Sequence, residues 1–234
     1  MNIGGIVKNS FVDYPGKICY TIFTNGCNIN CWYCHNKHLL KNNVSVISES
    51  EVLNFLTSHK PFLDAVTISG GEPTLQKDLP EFIRKIKNLG YEVKLDTNGT
   101  NFNVLESLIK QNLLDFVSVD IKAPLDSYNK ISENCNVGEI EKSINLLKQN
   151  LVNYEFRTTI SPNLTLEDIE KISKTIKGAK NYSLQQYRPV SEDDSLKGTS
   201  FSNNFLLQPL DGTFINKAKQ IALKYLKNVV VKGL

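Results

Sequence analysis

The chain has 234 residues, 41% hydrophobic and 22% charged, which is enough to build a large core and too ordinary a mixture for a disordered chain. A net charge of +3 is too small to argue for a nucleic-acid partner, and no apolar run approaches the ~18 residues of a membrane span. Five cysteines, an odd number with three of them clustered, argue for metal rather than a disulfide framework. The N-terminus lacks a signal-like apolar stretch, so the expected home is the cytosol, where thiols stay reduced.

The predicted elements alternate. Strand-like runs cover 17–23, 65–69, 91–96, 116–122, 154–160 and 182–187, with helical patterns between them at 48–58, 79–89, 103–112, 139–149, 166–177 and 213–226. The first helix opens with Ser48 and Glu51 at capping-box spacing. The second puts Leu79, Phe82, Ile83, Ile86 and Leu89 on one face, with Pro80 early and Gly90 just past the end. "NVVVKG" near the C-terminus reads as a short extra strand. Alternation of this kind implies a mostly parallel sheet flanked by helices, either an incomplete barrel or a doubly wound open sheet.

Three strands help to choose. Tyr91, Val93 and Leu95 oppose Glu92, Lys94 and Asp96; Val117, Val119 and Ile121 oppose Ser118, Asp120 and Lys122; Tyr154, Phe156, Thr158 and Ile160 oppose Glu155, Arg157 and Thr159. A parallel sheet covered on both faces would read as near-continuous apolar runs. One apolar and one charged face instead predict a sheet curved around a polar cavity, with helices outside only. The alternative for these charges is structural pairing, Asp96 with Lys94 and Asp120 with Lys122.

The unusual segments fall at the carboxyl ends of the strands, where parallel α/β folds bind ligands: "NGCNINCWYCHN", "SGGEP", "DTNG", "DIKAP", "RTT" and "QQYRP". Cys27, Cys31 and Cys34, spaced C-x3-C-x2-C, can reach one centre as thiolates. The loop alone leaves two readings open. Zinc would take His35 or His38 as a fourth ligand; an iron–sulfur cluster would keep one iron open. Only three of the 27 basic residues are arginine, so Arg157 and Arg188, in or after strands, carry more weight than Arg84 on a polar helix face. His59 reads as a helix C-terminal cap, Cys19 as a core residue and Cys135 as a free thiol.

C-x3-C-x-aromatic-C, with Tyr33 as the aromatic, and Gly70-Gly71-Glu72 at the next strand end resemble the two hallmarks of the radical S-adenosylmethionine (radical SAM) enzymes. "VDYPGK", "CWYCHN", "SGGEPTLQ", "KLDTNGT", "DIKAP", "YEFRTT" and "LQQY" extend the resemblance over roughly 1–190. Together they are similar to the activating proteins of anaerobic ribonucleoside-triphosphate reductases, and much of the pattern is shared with pyruvate formate-lyase activating enzymes. The resemblance implies an incomplete (β/α)6 TIM-like barrel of radical SAM type, one domain over 1–234 with its core at about 17–190.

It also implies a [4Fe-4S] cluster on Cys27, Cys31 and Cys34, with S-adenosylmethionine (SAM) completing the open iron. Gly70, Gly71 and Glu72 would meet the SAM ammonium, Lys122 its carboxylate and Tyr33 its adenine. Asn98, Asp96, Asp120 and Arg157 complete the implied cofactor-binding set, with a monovalent cation beside Asp96 and Asp120. The activity implied is formation of a glycyl radical on a reductase, with a flavodoxin or ferredoxin as electron donor. The segment 191–212 would be a docking surface for that partner. The competing readings are a small-molecule radical SAM enzyme resembling 7-carboxy-7-deazaguanine synthases, activation of another glycyl radical enzyme, and a zinc-stabilised binding protein.

Overall fold

A computed structural model describes residues 1–40, 46–132, 135–189 and 208–233. Eight strands form one sheet whose spatial order follows the chain: β1 (Ile3–Ser10), β2 (Cys19–Thr24), β3 (Ala65–Gly70), β4 (Glu92–Thr97), β5 (Phe116–Asp120), β6 (Asn153–Ile160), β7 (Tyr182–Gln186) and β8 (Val229–Lys232). Strands β2 to β8 run parallel, and β1 joins antiparallel to β2. The helices α1 (Glu49–His59), α2 (Leu79–Asn88), α3 (Phe102–Lys110), α4 (Val137–Leu147), α5 (Leu166–Thr175) and α6 (Gly212–Leu223) fill the six crossovers.

Sequential order decides between the two architectures left open. A doubly wound sheet must reverse its order to place helices on both faces. With no reversal, right-handed crossovers put every helix on the same side. The sheet is not closed: β1 and β8 are its two ends. This is the expected partial barrel, widened by one strand at each edge.

The apolar faces pack as patterned. Leu79, Phe82, Ile83 and Ile86 of α2 are fully buried, as are Val93, Leu95, Val117, Val119 and Phe156 of the sheet. All six expected helices are present, with ends shifted by three residues or fewer. Ser48 caps α1 by accepting from the Glu51 amide at 3.2 Å. His59 closes the same helix, its Nδ1 2.9 Å from the Phe55 carbonyl and its ring stacked on Phe55. Cys19 is buried in the core. No described helix is long and apolar enough to cross a membrane.

Strand β1 was not expected. "IGGIVKNS" carries two adjacent glycines, which in a strand mark a bulge or a close backbone approach, and the register shifts between Ile3 and Gly5. The reason is close approach: a Cβ on Gly4 would lie 2.0 Å from Asn25 Oδ1. Most of the segment 191–212 lies outside the described residues, and the docking role expected for it with them.

Candidate functional site

Carboxyl ends of parallel strands collect on one rim, and the sequential order wraps that rim around a single cavity of about 320 Å³. Cys27, Cys31, Tyr33 and Cys34 line it from the loop after β2; Gly70, Gly71 and Glu72 from the end of β3; Asp96 and Asn98 from β4; Asp120 and Lys122 from β5; Arg157 from β6. All twelve residues singled out in the sequence therefore share one wall system. His35, one of the two histidines weighed as a zinc ligand, lines it as well, and so do Asp13, Ser69, Thr97, Thr159, Gln185 and Gln186, which had been assigned no role. His38 and Arg188 are not among the lining residues, and Arg84 pairs with Glu81 on an exposed helix face.

The cysteine loop is anchored at both ends. The Gly26 amide donates to the Leu39 carbonyl at 2.7 Å, and a turn joins the Cys34 amide to the Cys31 carbonyl at 3.1 Å. Ile29, Cys31, Tyr33 and Tyr187 form a small buried cluster behind it, with Trp32 packed edge-on against Tyr33 at 5.1 Å. Burial pushes the thiols of Cys27, Cys31 and Cys34 up, while the Lys122 charge pulls each of them down. Metal binding at these thiols would therefore release protons.

The double glycine has a geometric reason of its own. Gly70 has φ +110, and a Cβ there would lie 2.3 Å from the Thr24 amide nitrogen. A Cβ on Gly71 would lie 2.0 Å from the Gly26 carbonyl oxygen. The turn instead donates from the Gly71 amide to the Thr24 carbonyl and from the Glu72 amide to the Gly26 carbonyl, both at 2.8 Å. Backbone thus clips this turn directly to the root of the cysteine loop.

Glu72 is 1% exposed and faces away from open solvent. Its Oε1 accepts from the Thr74 amide (3.1 Å), the Thr74 hydroxyl (2.6 Å) and the Thr97 hydroxyl (2.7 Å); its Oε2 accepts from the Asn98 amide (2.7 Å). Burial still pushes the carboxyl up against those four donors. Its main work is to lock the ends of β3 and β4 together. Asn98 in turn reaches the cysteine loop, donating to Asn28 Oδ1 at 2.9 Å.

Across the cavity runs a chain of alternating charge. Lys94 pairs with Asp96, Arg157 donates to Asp96 at 3.4 Å and to Asp120 at 2.6 Å, and Lys122 donates to Asp120 at 3.2 Å. The structural pairs considered from the sequence are present, and Arg157 joins them into one network. Burial works against both carboxylates, yet the Lys94 and Arg157 charges hold Asp96 low and the Arg157 and Lys122 charges hold Asp120 low. Burial opposes the charge on Lys122, and Asp120 together with the neighbouring Cys31, Tyr33 and Tyr128 more than offsets it. The network counts three cations and two carboxylates; Lys122, Arg157, Asp96 and Asp120 of it line the cavity, where Asp13 and Glu72 add two more carboxyl groups. One further group is unfinished: the Tyr33 hydroxyl is buried without a hydrogen-bond partner.

Three thiols on one anchored loop, an unpartnered hydroxyl, and cations and carboxylates side by side on the walls fit a three-cysteine cluster together with a hydrogen-bonding cofactor that carries charges of both signs. Comparison with known proteins agrees. The sequence profile of the Radical SAM superfamily matches residues 21–176. A Methanocaldococcus jannaschii protein named as a glycyl-radical enzyme activating enzyme is 40% identical over 99% of this chain and 96% of its own. The pyruvate formate-lyase-activating enzyme of Clostridium pasteurianum is 28% identical over 97% of this chain and 98% of its own. Among solved structures, Streptococcus suis SuiB bound to its precursor peptide SuiA has the same fold. Its TM-score is 0.69 at 16% identity, covering 91% of this chain and 48% of that one. A domain of a Bacteroides vulgatus pyruvate-formate lyase-activating enzyme matches with a TM-score of 0.56 at 15% identity, over 73% of this chain and 99% of that one. The chain therefore belongs to the radical SAM superfamily, within its glycyl-radical enzyme activating enzymes.

Proposed function

We propose that this chain cleaves SAM reductively and installs a glycyl radical on anaerobic ribonucleoside-triphosphate reductase. The observation that carries the reading is the convergence of three thiols, the Gly70–Gly71 turn and the Arg157-centred charge network on one cavity. When bound, the [4Fe-4S] cluster and SAM would supply the chemistry, one-electron reductive cleavage of the sulfonium coupled to removal of a hydrogen atom from a glycine Cα.

The chain's own residues position and exclude. Cys27, Cys31 and Cys34 would hold the cluster. Backbone at Gly70 and Gly71 meets the SAM ammonium, while Glu72 fixes that turn. Lys122 meets the SAM carboxylate, charge against charge. Tyr33 offers its unpartnered hydroxyl on the adenosine side. Asn98 keeps the β4 turn on the cysteine loop. Asp96, Asp120 and Arg157 keep Lys122 charged and aimed, and the walls keep water from the radical. A monovalent cation beside Asp96 and Asp120 would share both carboxylates with Arg157, whose guanidinium already spans them. The reductant is a flavodoxin or ferredoxin in this reading, and residues 1–234 form one domain.

Anaerobic reconstitution with iron and sulfide, followed by dithionite and SAM, tests the reading. 5′-Deoxyadenosine is the expected product; a colourless protein that holds zinc and yields none would overturn it. The fourth-ligand question has its own test. His38→Ala is expected to keep the reconstituted iron content and the cluster absorbance, because His38 stands off the cavity. Loss of iron in that variant would return the histidine to the ligand set.

A further inference from the structure

Two walls of the cavity differ in kind. The wall built from β4, β5 and the front of β6 carries charges, each engaged in the network already described. The wall toward the open edge of the sheet carries Thr159, Gln185 and Gln186, with no net charge. On that side the cation of β8, Lys232, is tied to the buried Glu155 at 2.8 and 3.1 Å. Glu155 also accepts from Ser118 at 2.9 Å and Ser183 at 2.6 Å. Glu155 and Lys232 pair with each other, the exposed Arg188 stands beside Gln186 after β7, and none of the three lines the cavity.

Gln186 is held and unfinished at once. Its Nε2 donates to the Leu210 carbonyl at 2.8 Å, which fixes the amide plane. Its Oε1 is buried with no partner. A buried acceptor without a donor is costly, and such groups mark the place of an absent ligand. Gln185, its neighbour on β7, lines the same wall and offers a donor and an acceptor.

We propose that Gln185 and Gln186 form a subsite that reads the backbone of an extended, glycine-bearing peptide entering over the open edge of the sheet. A peptide presents uncharged N–H and C=O groups in alternation, which is the chemistry that neutral side-chain amides match. An anionic small-molecule substrate would instead call for an unpaired cation, usually arginine, on this wall. The sheet ends one strand away, at β8, and among the described residues no further strand continues it on that side. The role assigned to Gln186 is acceptance of a peptide N–H at Oε1. This subsite rests on the activase reading and deepens it.

The test compares Gln186→Met with Gln186→Glu in the reconstituted holoenzyme, using intact anaerobic ribonucleoside-triphosphate reductase as the probe. Both variants lose the Nε2 donor to Leu210; only Glu keeps an acceptor at the Oε1 position. The readouts are the ratio of glycyl radical to 5′-deoxyadenosine, the KM for the reductase and the Kd for SAM. Gln186→Met is expected to lower the ratio about tenfold or more and to raise the KM for the reductase, with Gln186→Glu within roughly threefold of wild type. Equal losses in both variants would assign Gln186 to holding Leu210. An unchanged ratio in Met, or a SAM Kd that weakens in step with it, would also overturn the subsite. A wild-type enzyme that cleaves SAM and leaves no radical on the reductase contradicts the targeting itself, and that result appears before any substitution is made.

Discussion

Alanine at Cys27, Cys31 or Cys34 is expected to abolish cluster assembly and, with it, all SAM cleavage. Each thiol lines the same cavity from a loop anchored at Gly26 and Leu39, which holds the three together as one ligand set. Two remaining thiolates cannot hold a cluster that needs three protein ligands and a cofactor. Cys135 packs against the same small apolar cluster but comes from the segment before α4. Cys135→Ala is therefore the control that keeps the iron. Iron and sulfide analysis after anaerobic reconstitution checks both. A Cys31→Ala protein that still assembles a SAM-cleaving cluster would show that the ligand set has been misread.

Arg157→Met is expected to be the most damaging change outside the cysteines. The guanidinium holds Asp96 and Asp120 together, and methionine keeps the length of the stem while removing the charge. Breaking one partner out of a buried ion network typically costs about 3–5 kcal/mol. The loss has a definite pH dependence. Both aspartates have folded pKa values below their ordinary one, so the stability they contribute is complete above about pH 4, the unfolded carboxylate range. It is lost as pH falls through the depressed folded values. The stability gap between wild type and Arg157→Met should thus be full near neutrality and narrow in acid. Thermal melts at several pH values read it directly. A gap that does not change with pH would mean that Arg157 contributes packing rather than charge. SAM affinity should weaken in the same variant, since Lys122 loses the carboxylate geometry that aims it.

The sequence exposed the parts of this molecule that repeat or alternate. Period-two charge on the strands at 91–96, 116–122 and 154–160 predicted a polar interior, and the interior is the Lys94–Asp96–Arg157–Asp120–Lys122 chain. Strand ends carrying cysteine, glycine and acid motifs predicted the rim, because a parallel sheet places all those ends on one side. Contacts that depend on distant pieces of backbone were not legible. The reason for Gly70 and Gly71 is the proximity of Thr24 and Gly26, which no local pattern announces. Glu72 was expected beside a cation, and the four donors it accepts from at two strand ends were not foreseen. Asp13 belongs to the cavity because the loop before β2 folds inward, where Asp13 accepts from the Thr21 hydroxyl at 2.8 Å. The signal for Gln185 and Gln186 was present, since "QQY" closes a parallel strand, but an uncharged pair draws no attention until its neighbours are known.

Electron paramagnetic resonance on the dithionite-reduced, SAM-loaded protein mixed with anaerobic ribonucleoside-triphosphate reductase tests the account most directly. A glycyl doublet on the reductase, absent when SAM or the cluster is withheld, is the predicted result. A protein that forms 5′-deoxyadenosine and never gives that doublet with the reductase would contradict it.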